Sequence, residues 1–359
     1  MTSNEINLSS SPHSFLKLNT SSTMIFVIIA LLPLCIKGVF LYGLSAFLVI
    51  LTSIVSCVAS EALFQLATKQ KLRIKDCSAV VTGILLALVC PPTVPLWQVI
   101  LGGVFAIVVA KEFFGGIGAN VFNPALAGRA FMFVSFPTTM GATWLTPAKA
   151  SAINYATTAT SAATGAATSA ASAATSAATG AATTVATTAA VETIDAVSSS
   201  TLLSRINEAD LTTQNYWDFF FGNRAGCIGE SSILLILIAF VFLSLTKIID
   251  WKTPLTMVAT VAIATLIAGG DVLMSVMAGG LLFGAVFMIT DYATTPVTMW
   301  GRIIFAFGCG LITFLIRQFG GYPEGVMFSI LIMNAVAPFL NRFVPRKYGY
   351  GKINKAGTK

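Results

Sequence analysis

A few positions in this chain carry residue types that chemistry can use. Thr201 lies within the run Val197-Ser-Ser-Ser-Thr-Leu-Leu203, preceded by Asp195 and three serines, Ser198 the first of them. Leu202, Leu203 and Ile206 add an apolar stripe, so the segment reads as the start of a short, hydroxyl-capped helix. The first N–H groups of a helix lack intrahelical acceptors and lie at the positive end of its dipole, so a phosphate beside Thr201 is well placed. An ordinary capped helix has the same pattern. Glu112 and Asp291 each follow an apolar run and stand shortly before a proline, Pro124 or Pro296. Carboxylates placed so suit a cation path. Their plain alternatives are an interfacial ion pair of Glu112 with Lys111 and a helix-end cap for Asp291. Asp250 and Asp271 stand at expected span ends, where water is near. Asn123 and Arg129 share one interrupted apolar run and bring an amide and a guanidinium close together.

The elements that position these groups are apolar. The chain has 359 residues, 56% hydrophobic and 10% charged, with a mean hydropathy of +0.84. Most of it must be solvated by lipid or by its own helices, which makes it an all-α polytopic membrane protein. Apolar runs lie near Thr23–Ile36, Gly38–Phe64, Ser78–Cys90, Leu96–Ala110 and Val121–Phe136, then Ser231–Ile249, Thr253–Ala268, Val272–Ile289, Gly301–Ile316 and Gly325–Phe343. Several are shorter than the roughly 20 residues of a perpendicular span, and Pro91-Pro92, Pro124 and Pro296 bound or interrupt them. Short, broken helices meeting inside a bundle are the expectation.

About ten spans divide the chain into an N-terminal tail (1–22), a five-span half (23–136), a long polar loop (137–230), a second five-span half (231–343) and a basic tail (344–359). With both termini in the cytoplasm, 15 of the 21 Lys and Arg residues fall inside, Arg129 lies within a span, and only Lys37, Lys149, Arg205, Arg224 and Arg317 fall outside. The loop is then extracytoplasmic. The first apolar run has no basic segment before it and no small-residue cleavage site, so it reads as a retained span. Thr82-Gly-Ile-Leu-Leu86, Cys90-Pro-Pro92, Lys111-Glu-Phe-Phe-Gly-Gly116 and Asn123-Pro124 are echoed by Ala278-Gly-Gly-Leu-Leu282, Thr294-Thr-Pro296, Arg317-Gln-Phe-Gly-Gly321 and Asn334 with Pro338. Five spans per half and this echo describe an inverted 5+5 repeat around a central site.

Composition also excludes functions. The net charge of +7 resides in short loops and a tail, where it sets orientation rather than binding nucleic acid. Six cysteines stand singly and the one histidine, His13, lies in the polar tail, so no metal site is expected. A Rossmann fingerprint and a P-loop are absent from the sequence. Residues 156–190 are almost wholly Ala, Thr, Ser and Gly and read as a spacer.

Gly115-Gly-Ile-Gly-Ala-Asn-Val-Phe-Asn-Pro-Ala-Leu-Ala-Gly-Arg-Ala130, Gly226-Cys-Ile-Gly-Glu-Ser-Ser232, Ile249-Asp-Trp251, Met288-Ile-Thr-Asp-Tyr-Ala-Thr-Thr-Pro296 and Gly320-Gly-Tyr-Pro-Glu-Gly325 together resemble one family. It is that of the D-type component of the Rnf electron-transport complex, RnfD, with the B-type component of the sodium-pumping NADH:quinone reductase, NqrB, as a relative. The resemblance implies a flavin-carrying subunit that relays electrons between ferredoxin and NAD while Na+ or H+ is translocated. It implies the A, B, C, E and G components of the Rnf complex as partners in the cell inner membrane. It also implies FMN esterified to Thr201 within segment 194–203, where Ser199, Ser200 and Leu202 replace the family's Gly, Ala and Pro. Thr143, in the literal Gly141-Ala-Thr143, is the competing attachment site. A second, non-covalent flavin, riboflavin, is implied near Asn123 and Arg129. Alternatives are a quinone-reductase B-type component, a urea-channel-like transporter without redox chemistry, and a membrane scaffold.

Overall fold

The computed structural model describes residues 20–70, 76–141, 217, 220–222, 226–320 and 325–343. Among them every regular element is helical. α1 (Thr20–Tyr42) and α2 (Leu44–Ala67) are separated by Gly43 alone, whose φ of 70° is the left-handed turn that glycine adopts without a Cβ clash. This moves the expected boundary at Lys37-Gly38 five residues onward, because Gly38 is helical and it is Gly43 that interrupts the helix. α3 (Ser78–Leu88) ends before Cys90-Pro91-Pro92, where proline cannot continue a helix. α4 (Leu96–Val104) runs on as a π turn, Phe105–Val109. α5 (Pro124–Ser135) takes Pro124 at its first position, where the missing N–H costs nothing, and α6 (Pro137–Gly141) follows.

After the polar loop come α7 (Ile233–Leu245) and α8 (Lys252–Ile267). The run Val272–Ile289, expected to be one span, is broken. α9 (Val272–Met277) stops, the chain turns through Ala278 and Gly279 (φ 68°), and α10 (Leu281–Phe283) restarts and passes into a second π turn, Gly284–Met288. α11 (Met299–Phe319) and α12 (Val326–Phe343) complete the fold.

Among the described residues, four helical stretches are long and apolar enough to cross a membrane: Thr20–Tyr42, Leu44–Ala67, Leu96–Phe114 and Met299–Phe319. Polarity runs from inside to outside. Ile25, Ile29, Leu32, Ile36 and Phe40 make an exposed apolar stripe along α1, whereas Glu61, Lys111, Glu112, Arg129 and Glu230 are buried. That distribution suits lipid as the surrounding solvent, because an apolar surface of this extent is unfavourable in water.

Packing depends on small residues. α2 lies against α3 and α4, and α8 against α9 and α11. A Cβ on Gly83 would lie 2.8 Å from the Ile54 Cα, one on Gly128 2.8 Å from the Gly102 carbonyl, and one on Gly310 2.8 Å from the Met257 carbonyl. These glycines let backbones approach where side chains would separate them. Ser53 Oγ donates to the Gly83 carbonyl at 2.7 Å and Ser56 Oγ to that of Ile100 at 2.9 Å, which fixes α2 on α3 and α4. α1 packs on α7, and α5 on α12, joining the N-terminal to the C-terminal region.

Candidate functional site

At one end of the bundle α1, α3, α5, α7 and the second π turn enclose a cavity of about 350 Å3. Its walls are mostly aliphatic, from Met24, Val27, Val81, Leu85, Leu243 and Val286. Its polar fringe is supplied by Thr82, Lys111, Asn120, Asn123 and Asp291. Each π turn ends at the rim, the first with Lys111 and the second with Thr290 and Asp291. A π turn shifts the helical register and leaves carbonyls without their usual partners, which is why such turns gather at functional sites.

Lys111 is held from across the bundle. Its Nζ donates to Glu61 Oε2 at 2.9 Å and to Ser78 Oγ at 2.7 Å, and all three residues are buried. Gln65 Nε2 donates to Glu61 Oε1 at 3.3 Å from the next turn of α2. The expectation that Lys111 serves as a surface partner of Glu112 is thereby corrected: its carboxylate is Glu61, from within the apolar run of α2. Sequence reading passed over Glu61, although one acid inside a long apolar run is the kind of costly residue that marks a polar interior.

Asn123 caps α5. Its Oδ1 accepts from the N–H of Ala125 at 3.1 Å and of Leu126 at 3.4 Å, and its Nδ2 donates to the Met288 carbonyl at 3.5 Å, at the end of the second π turn. Asn120 closes its own loop, accepting from Gly118 N and donating to the Phe122 carbonyl. Asp291 accepts from Ala293 N at 3.2 Å and Thr294 Oγ1 at 3.3 Å. Burial in the cavity wall pushes its carboxyl above the usual carboxylate range, and these two hydrogen bonds oppose the shift without cancelling it. Tyr292 beside it is pushed up to about 12, by burial first and then by the charges of Asp291 and Asp76.

The candidate residues therefore separate. Asn123 and Asp291 meet in this cavity. Glu112 is buried in the 3-10 turn Glu112–Phe114 and does not line it. Arg129 lies further along α5, where Nη2 reaches Cys227 Sγ at 3.5 Å, so one flavin cannot be assumed to touch both Asn123 and Arg129. Ser198, Thr201 and Thr143 lie outside the described residues. Among the described residues no group of His, Cys, Asp and Glu is arranged to hold a metal ion.

Comparison with known families matches residues 7–349, nearly the whole chain. The chain belongs to the NQR2, RnfD, RnfE family. Relatives align along most of their length. The D-type component of the Na(+)-translocating ferredoxin:NAD(+) oxidoreductase complex of Acetobacterium woodii is 40% identical over 358 residues, 98% of each chain. The proton-translocating counterpart of Clostridium ljungdahlii is 38% identical over 354 residues, 96% of this chain and 97% of the relative. The D-type component of the ion-translocating oxidoreductase complex of Stutzerimonas stutzeri is 35% identical over 91% of each.

Proposed function

We propose that this member of the NQR2, RnfD, RnfE family is the D-type, flavin-carrying membrane component of an ion-translocating ferredoxin:NAD oxidoreductase. The observation that carries the reading is identity of 40% and 38%, across at least 96% of this chain, with relatives named as the D-type components of such complexes. Their names divide between Na+ and H+, so the ion is a monovalent cation of either kind. The A, B, C, E and G components would supply what this sequence lacks, the NAD and iron–sulfur sites. The chain would cross the bacterial inner membrane about ten times, both termini cytoplasmic and residues 137–230 external. Matching helix contacts support an inverted 5+5 repeat: α2 with α3 and α4 parallels α8 with α9 and α11, and α4 on α5 parallels α11 on α12.

In this reading Thr201 carries FMN through a phosphoester, with Ser198 three residues before it in the sequence. The large cavity supports a second flavin, riboflavin. Its 350 Å3 falls within the range of small-molecule sites, and aliphatic walls with a few convergent polar groups suit a flat aromatic ring. Thr82, Asn120 and Asn123 would orient the ring, Lys111 would sit at its edge, and Val81, Leu85 and Val286 would exclude water. A flavin so held supplies electron-carrying chemistry that no side chain here provides. Arg129, beyond the cavity, would not touch that ring. Asp291 at the rim would meet cations entering from the cytoplasm, and Glu112, buried outside the cavity, would serve the same path.

A covalent flavin survives denaturation. The chain should therefore fluoresce on a denaturing gel, Thr201→Ala should abolish the band together with electron transfer, and Thr143→Ala should leave both. Fluorescence lost in Thr143→Ala and kept in Thr201→Ala would move the attachment to Thr143, and a wild-type chain without fluorescence would sink the covalent flavin itself.

A further inference from the structure

The buried pair of Lys111 and Glu61 is placed unevenly with respect to the large cavity. Lys111 lines it, and so does Ser78, whose Oγ accepts from Lys111 Nζ at 2.7 Å. Glu61 does not line it: its carboxylate stands on α2, with Oε2 at 2.9 Å from the same Nζ and Oε1 accepting from Gln65 Nε2. Close packing fixes this order. A Cβ on Gly103 of α4 would lie 2.6 Å from Ser56 Oγ and 3.3 Å from Cys57 Sγ, so α4 presses on α2 in the turn before Glu61. An ammonium has three N–H donors. Glu61 and Ser78 take two of those on Lys111, and among the described residues no acceptor takes the third. Lys111 is also the one Lys or Arg among the described residues that line the cavity. A ligand there meets a positive charge at the wall and its counter-charge behind the wall, in a surround too dry to screen either.

We propose that Lys111 and Glu61 form an opposed pair that sets the reduction potential of the flavin ring bound in this cavity. Lys111 donates to a ring atom that gains negative charge on reduction, and Glu61, a positioning residue, holds Lys111 there and weakens its field. This rests on the flavin reading above. An electron delivered from the ferredoxin side adds one negative charge to the ring until a proton follows it or the electron passes on toward NAD. A cation at the wall stabilises that added charge and so raises the potential. The carboxylate lowers it, and less strongly, because it stands behind the cation and outside the wall. Two residues that support the fold in the same way therefore act on the ring with opposite signs.

The test uses the full-length chain in detergent, with riboflavin as the probe. The covalent flavin is removed by Thr201→Ala, or by Thr143→Ala if that is the variant that abolishes fluorescence on the gel. Riboflavin retained per chain, the unfolding midpoint, and the reduced-to-oxidised ratio of the bound flavin at a fixed potential are read together. Relative to this parent, Glu61→Gln should raise the ratio about tenfold or more, because Lys111 then acts unopposed. Lys111→Met with Glu61→Leu, which removes both charges, should lower the ratio, and Lys111→Met alone, which leaves the carboxylate, should lower it further. A pair that only held helices together would lower the unfolding midpoint in both single variants and leave the ratio where it was. An unchanged or lower ratio in Glu61→Gln overturns the proposal, as does loss of riboflavin from that variant while it remains folded. If Glu61→Gln does not fold, an unchanged or higher ratio in the double variant, or no riboflavin bound to it, overturns the proposal instead. A parent chain that retains no riboflavin overturns the flavin reading of the cavity and the proposal with it, a result distinct from the others.

Discussion

The two π turns, Phe105–Val109 in the N-terminal region and Gly284–Met288 in the C-terminal region, end on opposite charges at one cavity. After the first comes Lys111, neutralised by the buried Glu61; after the second comes Asp291, its carboxylate held by Ala293 N and Thr294 Oγ1. The C-terminal cation that echoes Lys111 in sequence, Arg317, is satisfied differently. Its Nη1 and Nη2 donate to the carbonyls of Ser275 and Ala278, at the end of α9, at 2.7 and 3.2 Å. One region thus sets its cation against a buried carboxylate, while in the other two guanidinium nitrogens meet carbonyls at a helix end and a carboxylate stands at the cavity rim. Similar helix packing does not impose similar electrostatics. The asymmetry gives the cavity a cationic edge and a separate acidic one.

The largest expected effect breaks this comparison at its costliest contact. Lys111→Met leaves Glu61 charged in a dry interior and should destabilise the protein by about 3–5 kcal/mol, whereas Arg317→Met frees two carbonyls near a helix end and should cost about 1–2 kcal/mol. Unfolding midpoints in detergent measure both, and adding Glu61→Leu to Lys111→Met should recover most of the loss. Equal losses in the two single variants would mean that the regions are not different in this respect.

A middle-sized effect concerns Asp291. Its folded pKa is raised, so the native state keeps a proton that the unfolded state releases. That contribution to stability is full below the unfolded value, about 3.9, and is lost as pH rises through the folded value. The midpoint of Asp291→Asn minus that of wild type should therefore be near zero in acid and grow more positive as pH rises. A difference that is flat with pH would show that the carboxyl is not desolvated. In vesicles Asp291→Asn should lower ion-coupled turnover more than Glu112→Gln, because only the former changes the cavity wall.

The smallest effect sharpens the comparison within the C-terminal region. The hydroxyls of Thr313 on α11 and Ser329 on α12 lie 2.7 Å apart in the core. Hydrogen bonds of this kind between apolar helices average about 0.6 kcal/mol. Thr313→Val should shift the unfolding midpoint by no more than that implies, and a shift as large as that of Arg317→Met would place the pair among the main supports of α11.

Where helices would form was legible from particular residues. Pro124 and Asn123 announce the start of α5, Pro91-Pro92 the end of α3, and the apolar run Gly301–Ile316 sits inside α11. Boundaries failed where glycines decide by backbone angle rather than by polarity. Gly38 and Gly43 look alike in sequence, yet only Gly43 has positive φ, and Gly279 breaks a run that reads as continuous. Of the candidate residues, Asn123 and Asp291 share a site while Arg129 and Glu112 do not. Position along a chain does not say which of two nearby helix turns faces which cavity.

The amino-acid sequence by itself determined the apolar, helical character and the family, because these follow from composition, local patterning and ordered motifs. The tertiary structure alone decided which charges meet. Lys111 finds Glu61 50 residues away. In a low-dielectric interior each buried charge needs a counter-charge within a few ångströms, and that distance is set by helix packing, which glycines such as Gly83, Gly128 and Gly280 allow and no local pattern encodes.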